Sequence, residues 1–422
     1  MRNKSAIRLL LGANFISGVA QGISMIAVPL YFAESGQSAW FGLAYTLITL
    51  VTLFWAPYAG SLVDKHDRKK LFLVLMAFMA LALAALSALG FSQGLNNYIA
   101  VGAFALTFWN YSLHYLCFYA FMQEITEREH YSKIASLLEV QGQLASALAG
   151  GAAAVLLDPE MADYWGFEAW ELPQIFALDA STYVLGLLII FFMKFESLTL
   201  REAEKGSLWQ RLKIGWDYLK GEPYVFLFGV LTHAVFITVL LHVFELSPTY
   251  VKQCLAGEGD SAASIFAISE VLYSVGAVLA GLAIQRIFKG FSFLSAIILL
   301  TLITLLEYGA MFSFYSVGVF WAVSLLLGLT NAGVRVIRVS YLFEVVPNQV
   351  IGRANSIFGI SNTLFRLGFL ALFSLPFFHE KGQVVFSFLI FMGFLGLSAG
   401  ILGAYYGPIV GKREAAEEEE EE

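Results

Sequence analysis

Twelve apolar stretches, each long enough to cross a bilayer as a helix, follow one another along this 422-residue chain. A bilayer core takes about 20 apolar residues per helix. The stretches fall at about 8–32, 39–62, 71–91, 97–122, 133–157, 173–194, 222–247, 262–284, 291–312, 315–343, 352–377 and 382–408. In hydrocarbon the backbone must satisfy its own N–H and C=O groups, which leaves helices as the form for such runs. The chain is 59% hydrophobic and 14% charged, with mean hydropathy +0.73, whereas soluble domains are nearer a quarter charged. The first stretch is too long for a cleaved leader, and the chain continues as a bundle. The expected fold is an all-α polytopic membrane protein.

Lysine and arginine placement orients it. With the N-terminus inside, 20 of the 25 fall at cytoplasmic ends or loops, among them Arg2, Lys4, Arg8, Lys65, Lys69, Arg286, Lys289, Arg353 and Lys412. Lys252 and Lys381 fall outside, and Arg335, Arg338 and Arg366 lie within spans. Both termini are therefore expected in the cytoplasm. The net charge of −7 is local: part is a tail of Glu414 and Glu417 to Glu422, and part an outer loop with Asp158, Glu160, Asp163, Glu168 and Glu171. Such an acidic run reads as a solvated tail. Cys117 is placed in a span and Cys254 in an outer loop, too few and too differently situated for a disulfide framework.

An internal repeat divides the chain. At an offset of 220 residues Glu124 meets Glu344, Lys133 meets Arg353, Ser136 meets Ser356 and Leu144 meets Leu364. At 221 residues Gly60 meets Gly281, Lys65 meets Arg286 and Arg68 meets Lys289. The implied organisation is two pseudo-symmetric six-helix halves, 1–194 and 222–410, joined by a cytoplasmic linker at 195–221 and followed by the acidic tail at 411–422. Within the linker, apolar residues at 208, 212, 216 and 219 form one helical face, with Arg211 and Lys213 off it. That pattern predicts an amphipathic helix at the membrane surface.

The turn between the second and third spans reads Gly60-Ser61-Leu62-Val63-Asp64-Lys65-His66-Asp67-Arg68-Lys69-Lys70. It resembles the signature of the major facilitator superfamily, with Asp67 standing where the family has a second glycine. The resemblance covers nearly the whole chain. It implies a secondary transporter that moves a small-molecule substrate by alternating access. It also implies that Asp64 and Arg68, with Gly60 and Lys69 beside them, form a conformational latch against the start of the span near Arg353; a topogenic role alone would also explain the basic run. Gly142-x3-Ser146-Ala147-x2-Gly150-Gly151 is similar to the antiporter motif of drug exporters without its proline. Ser17-Gly18-Val19-Ala20-Gln21-Gly22 is similar to an export-type subgroup, with Gln21 where an acid often stands. The resemblance therefore points to the bacterial drug or siderophore exporter type: proton-coupled efflux by antiport from the cell inner membrane. An importer or lysolipid translocator on the same scaffold, and a non-transporting receptor or scaffold, are the alternatives.

Ionisable residues inside spans are candidates for function, because each costs roughly 2.5–3.5 kcal/mol on insertion scales. Arg335 and Arg338 share a face of the tenth span with Asn331, and Arg366 adds a third cation in the eleventh. Guanidinium forks suit carboxylate or phosphate, so these residues are expected to bind an anionic substrate, pairing with internal acids and snorkelling being the alternatives. Among the acids, Asp179, Glu270 and Glu139 are expected to carry protons, whereas Glu245 and Glu307 are expected to reach interfacial water. Tyr111, Tyr115 and Phe118 form an aromatic stripe beside His114 in the fourth span, so Tyr111, His114 and Tyr115 join Gln21 as expected substrate contacts. A packing role would explain the stripe equally. No phosphate-cradling loop, dinucleotide fingerprint, HExxH or spaced Cys/His set occurs. No enzyme activity, cofactor, metal or nucleic-acid partner is therefore expected. The expected partners are the substrate, protons and the lipid bilayer, with the protein acting as a monomer.

Overall fold

The computed structural model describes residues 3–127, 131–197, 208–257, 261–347 and 350–411. The described residues are helical almost throughout. Ten helices, at Lys4–Glu34, Ser38–Trp55, Arg68–Gln93, Leu172–Phe192, Pro223–Leu255, Ala262–Ile284, Phe293–Ser313, Val317–Leu342, Arg353–Phe373 and Gln383–Ala404, are long and apolar enough to cross a membrane. Asn97–Ile125 and Tyr131–Leu157, of 29 and 27 residues, complete a twelve-span pattern. Each falls on a stretch expected from hydropathy.

Contacts divide the chain into one unit of Met1–Lys205 with Glu258–Val271, and a second of Gly206–Gly257 with Leu272–Glu422. The first unit contains α1 (Lys4–Glu34), α2 (Ser38–Lys65), α3 (Arg68–Gln93), α4 (Asn97–Ile125), α5 (Tyr131–Leu157), the short α6 (Pro159–Tyr164) and α7 (Leu172–Phe192). α3 packs along α7, α1 against α4, α5 and α7, and α2 against α4. Small residues set the α1–α5 approach: a Cβ on Gly22 would stand 2.6 Å from the Ala149 Cβ, and one on Gly18 would stand 3.7 Å from that of Ala145. Gly18 and Gly22 of the first exporter-like stretch thus serve close helix packing.

The basic turn is also explained locally. Asp67 has φ −57° and ψ 122°, a conformation open to any residue, and its side chain accepts from the Lys70 amide at 2.8 Å. It is the N-cap of α3, which accounts for an aspartate where the family has glycine. Asp158 does the same for α6, accepting from the Glu160 and Met161 amides at 2.8 and 3.0 Å and from the Ser264 hydroxyl. Desolvation pushes the Asp158 carboxyl up, but hydrogen bonds from Ser261, Ser264 and the two amides outweigh it and hold the group below the usual carboxylate value.

The second unit contains α8 (Leu208–Gly221), α9 (Pro223–Leu231), α10 (Ala234–Leu241), α11 (Ser247–Tyr250), most of α12 (Ala262–Ile287), α13 (Phe293–Ser313), α14 (Val317–Val345), α15 (Ile351–Phe373) and α16 (Phe386–Ala404). The linker helix expected from sequence is α8. It lies on α15 so closely that a Cβ on Gly215 would come within 2.9 Å of the Arg353 backbone. Leu219 is buried as expected, but Trp216 from the expected apolar face is half exposed. The face that packs is narrower and centred on Gly215.

α9, α10 and α11 are parts of one span that runs eight residues beyond its expected end at 247, to Leu255. Cys254, expected in a loop, therefore lies in a helix, in a π-helical turn over Val251–Leu255. A first π-helical turn covers His242–Leu246. Pro248 gives the reason for it: lacking an N–H, it cannot pair with the carbonyl four residues back, and a widened turn lets the helix continue past it.

Glycine also governs the α12–α14 crossing. A Cβ on Gly276 would fall on the Leu325 carbonyl, and one on Gly328 on the Tyr273 carbonyl. Ala277, Ala280 and Ala332 continue this tight seam. Gly276→Ala and Gly328→Ala are each expected to lower stability by about 1–3 kcal/mol through overpacking. Gly281→Ala, one turn further along α12 with no atom within 4 Å of its Cβ position, is expected to leave stability equal or raised. Thermal unfolding in detergent reads the difference.

Candidate functional site

Each unit carries a seam of buried polar side chains. In the first, Asp179 on α7 is fully buried. Ser24 Oγ of α1 donates to its Oδ2 at 2.8 Å, and its Oδ1 has no hydrogen-bond partner among the described residues. One turn along α7, the Tyr183 hydroxyl accepts from Asn110 Nδ2 of α4 at 2.9 Å. Nearby on the same helices, His114 Nε2 donates to Asn14 Oδ1 at 2.7 Å, and Asn14 Nδ2 donates to Gln141 Oε1 at 2.9 Å. An amide oxygen only accepts, so the His114 proton sits on Nε2. Gln21 Nε2 donates to the Thr107 carbonyl at 3.3 Å. Among the described residues Asp179 is thus held by a neutral hydroxyl and by no cation.

His114 and the tyrosines expected beside it part company. His114 is buried against Phe72, ring centroids 4.6 Å apart, and Phe118 is buried with it. Tyr111 and Tyr115 are 57% and 42% exposed and stack at 5.8 Å. The stripe continues through Tyr119, whose hydroxyl accepts from that of Tyr115 at 2.7 Å, and not through Phe118 as expected. A helix carries 111, 115 and 119 on one face at i, i+4 and i+8.

The latch residues bind within the first unit. Arg68 Nη1 donates to the Ala120 carbonyl at 2.7 Å and stands 3.4 Å from Glu124 Oε2, at the end of α4. Lys69 Nζ donates to the Phe191 and Met193 carbonyls at 3.2 and 2.7 Å, at the end of α7. Lys69 is well placed there, because helix C-terminal carbonyls lack intrahelical donors, and both cations favour the negative ends of the helix dipoles. Gly60 and the side chains of Asp64 and Glu139 lie outside the described residues. Glu270, also in the first unit, is partly buried on α12.

In the second unit the seventh span is broken at Thr232–His233, before its two π-helical turns. α9 ends at Leu231 and α10 starts at Ala234. Thr232 Oγ1 donates to the Phe228 carbonyl at 2.7 Å, and such back-bonding bends a helix. Arg338 Nη1 of α14 donates to the buried Thr232 carbonyl, freed by the helix break, at 3.1 Å. Arg338 lies in Coulombic range of both Arg335 and His233. Arg338 and Arg366 are buried, and Arg335 partly so. Asn331 Nδ2 donates to Tyr273 Oη at 2.6 Å, and Thr330 Oγ1 donates to Glu307 Oε2 at 3.3 Å.

Two acids expected at interfacial water are instead buried inside the protein: Glu245 is 4% exposed and Glu307 3%. The cause for Glu245 is the continuation of its helix past Pro248, which sets it about three turns from the end at Leu255. Glu307 is drawn inward by Thr330.

Two cavities are each formed by a single unit. One of about 350 Å³ in the first unit is lined by Tyr31, Glu34, Trp170 and Glu171 among apolar residues. One of about 620 Å³ in the second lies between α9 and α15 and is almost wholly apolar, lined by Phe226, Val230, Leu364, Phe365, Phe369 and Leu372. Among the described residues no group of three or more His, Cys, Asp or Glu is placed to hold a metal ion.

A sequence profile of the Major Facilitator Superfamily matches residues 10–371. No curated protein matches the chain. Among solved structures, a D-xylose-proton symporter superposes with TM-score 0.68 at 13% identity, over 94% of this chain and 97% of its own. An auto-inhibited POT family peptide transporter superposes at 0.71 and 11%, over 95% and 96%. A bacterial homologue of the human lysosomal transporter Spinster, in an inward-facing and unoccupied conformation, superposes at 0.68 and 11%, over 97% and 98%.

Removing the Arg338 guanidinium is expected to expose the cost of the helix break. Arg338→Met leaves the Thr232 carbonyl without this donor and is expected to lower stability by about 1–3 kcal/mol, measured by thermal unfolding. An unchanged midpoint would contradict the capping role.

Proposed function

Because the chain belongs to the Major Facilitator Superfamily, we propose that it is a secondary transporter that moves a small molecule through a bilayer by alternating access, driven by protons. The observation that carries the coupling is Asp179: a fully buried carboxylate that, among the described residues, has one hydroxyl donor and an unpartnered oxygen. Burial without a cation favours the neutral acid, and exposure to water favours the ion. A conformational cycle that alternates these environments binds a proton on one side and releases it on the other. Glu270 and Glu139 are secondary candidates for the same task.

The sequence alone favours export of an anionic, siderophore-like or drug-like compound. Uptake is the reading better supported by the similar structures, one of which is a proton symporter for D-xylose. Coupling through Asp179 serves either direction. Arg335 and Arg366 remain the proposed contacts for an anionic group, with Tyr111 and Tyr115 offering an aromatic surface. The apolar cleft between α9 and α15 favours a substrate with an apolar part, and an apolar tail keeps the lysolipid reading in play. The protein is proposed to act as a monomer in the cytoplasmic membrane with both termini inside, and Asp64 and Arg68 to latch the cytoplasmic side.

Proteoliposomes with an inward proton gradient test this reading, offered sugars, nucleosides, dipeptides, lysolipids and carboxylate siderophores. The expected result is gradient-driven accumulation of one class, lost in Asp179→Asn while gradient-independent exchange persists. Accumulation that requires an outward proton gradient would reverse the direction. Accumulation indifferent to the gradient and to Asp179→Asn would remove the coupling.

A further inference from the structure

The second unit holds a buried acid that receives no hydrogen bond among the described residues. Glu245 sits in the π-helical turn His242–Leu246, is 4% exposed, and neither carboxylate oxygen has a hydrogen-bond partner among the described residues. It contrasts with Asp179 and Glu307, each of which accepts one hydroxyl.

The surroundings explain why nothing answers it. The turn packs against α10 and α11. α10 (Ala234–Leu241) contains no titratable residue. α11 contributes Tyr250, whose hydroxyl is committed to the Met311 carbonyl at 3.2 Å. On the turn itself, His242 Nε2 lies 2.8 Å from Ser247 Oγ, and His242 Nδ1 is unpartnered. From further elements, Tyr308 of α13, Phe320 of α14 and Phe388 of α16 surround the His242 ring, with centroids 5.7, 6.2 and 6.0 Å away. Glu307 adjoins Tyr308 in sequence and is occupied by Thr330. No charged side chain among the described residues acts on Glu245.

We propose that Glu245 is a proton-binding residue of the second unit, protonated in the conformation seen here and ionised when the π-helical turn opens to water. An ionised carboxylate in this site would have neither solvent nor a donor, and burying it so is prohibitive. A metal cation is disfavoured by the same geometry, because sodium or a divalent ion needs several converging oxygens. The π-helical turn supplies the means of change: its widened hydrogen bonding can revert to α-helical register, rotating the residues after it. Ser247 and the free His242 nitrogen stand next along the chain to pass the proton. This inference rests on the proton-driven reading for its use, but the titration of Glu245 stands independently of it.

The test is infrared difference spectroscopy of the protein in lipid nanodiscs, recorded against pH without any substrate. The expected result is a protonated-carboxyl band that Glu245→Gln removes, that disappears on alkalinisation, and that sodium chloride at fixed pH leaves unchanged. Glu245→Gln is isosteric and neutral, so thermal unfolding should show no loss of stability. The Asp179→Asn spectrum, which should lose a different band, separates the two acids. A spectrum unaltered by Glu245→Gln would overturn the proposal, and a band removed by sodium at constant pH would replace the proton with a metal ion. If the Glu245 band titrates but no compound is moved by a proton gradient, the transport reading fails and the site stands. If gradient-driven transport occurs and the band is absent, the coupling belongs to the first unit alone.

Discussion

A carboxylate inside a membrane protein has to find water, a cation or a proton, and the architecture described here removes the first two for its deepest acids. Lipid offers no hydrogen bonds, so every polar group in a span is satisfied within the protein or changes its charge. Among the described residues Asp179 is met by one serine hydroxyl, Glu307 by one threonine hydroxyl, and Glu245 by no donor. Closed ion pairs would have made these acids part of the scaffold. Neutral partners make their charge depend on whether water reaches them, which is what a machine driven by protons needs.

The rest of the structure keeps those sites dry and yet movable. Glycines let α1 meet α5 and α12 meet α14 at backbone distance, leaving little room for water along the seams. The cations sit near helix ends: Arg68 on Ala120 and Glu124 in the closing turns of α4, Lys69 on the last carbonyls of α7, Arg338 on the carbonyl freed where the seventh span breaks. That break and the two π-helical turns put three irregular points in one span, in the unit that also carries Glu245. Non-helical backbone at membrane depth is tolerated only inside protein or beside a cavity, and here it lies among buried side chains.

Much of this was legible in the residues. Twelve apolar runs of bilayer length placed every long helix, because hydrocarbon imposes one solution on such segments. The amphipathic spacing at 208, 212, 216 and 219 located α8, although its packed face proved narrower because Gly215, with no side chain, makes the closest approach. Glu245 was misplaced for a specific reason. Pro248 reads in a sequence as the end of a helix, and an acid three residues before it as an interfacial residue. Hydrogen-bond register is not written in side-chain pattern, so a π-helical turn that carries the helix past a proline is invisible until the backbone is seen. The aspartate at 67 is the converse case: it looked like a lapse from a family pattern and is the N-cap that starts α3.

The account stands or falls on whether the buried acids are neutral at rest and able to ionise. The most direct measurement is a potentiometric titration of the protein in nanodiscs, comparing the unmodified chain with the Asp179→Asn, Glu245→Gln double variant. Neutral buried acids require the double variant to release about two fewer protons as the pH is raised through and beyond neutrality. Equal release from both proteins would mean that these carboxylates are already ionised inside the bundle, and the proton-driven mechanism would have no seat in them.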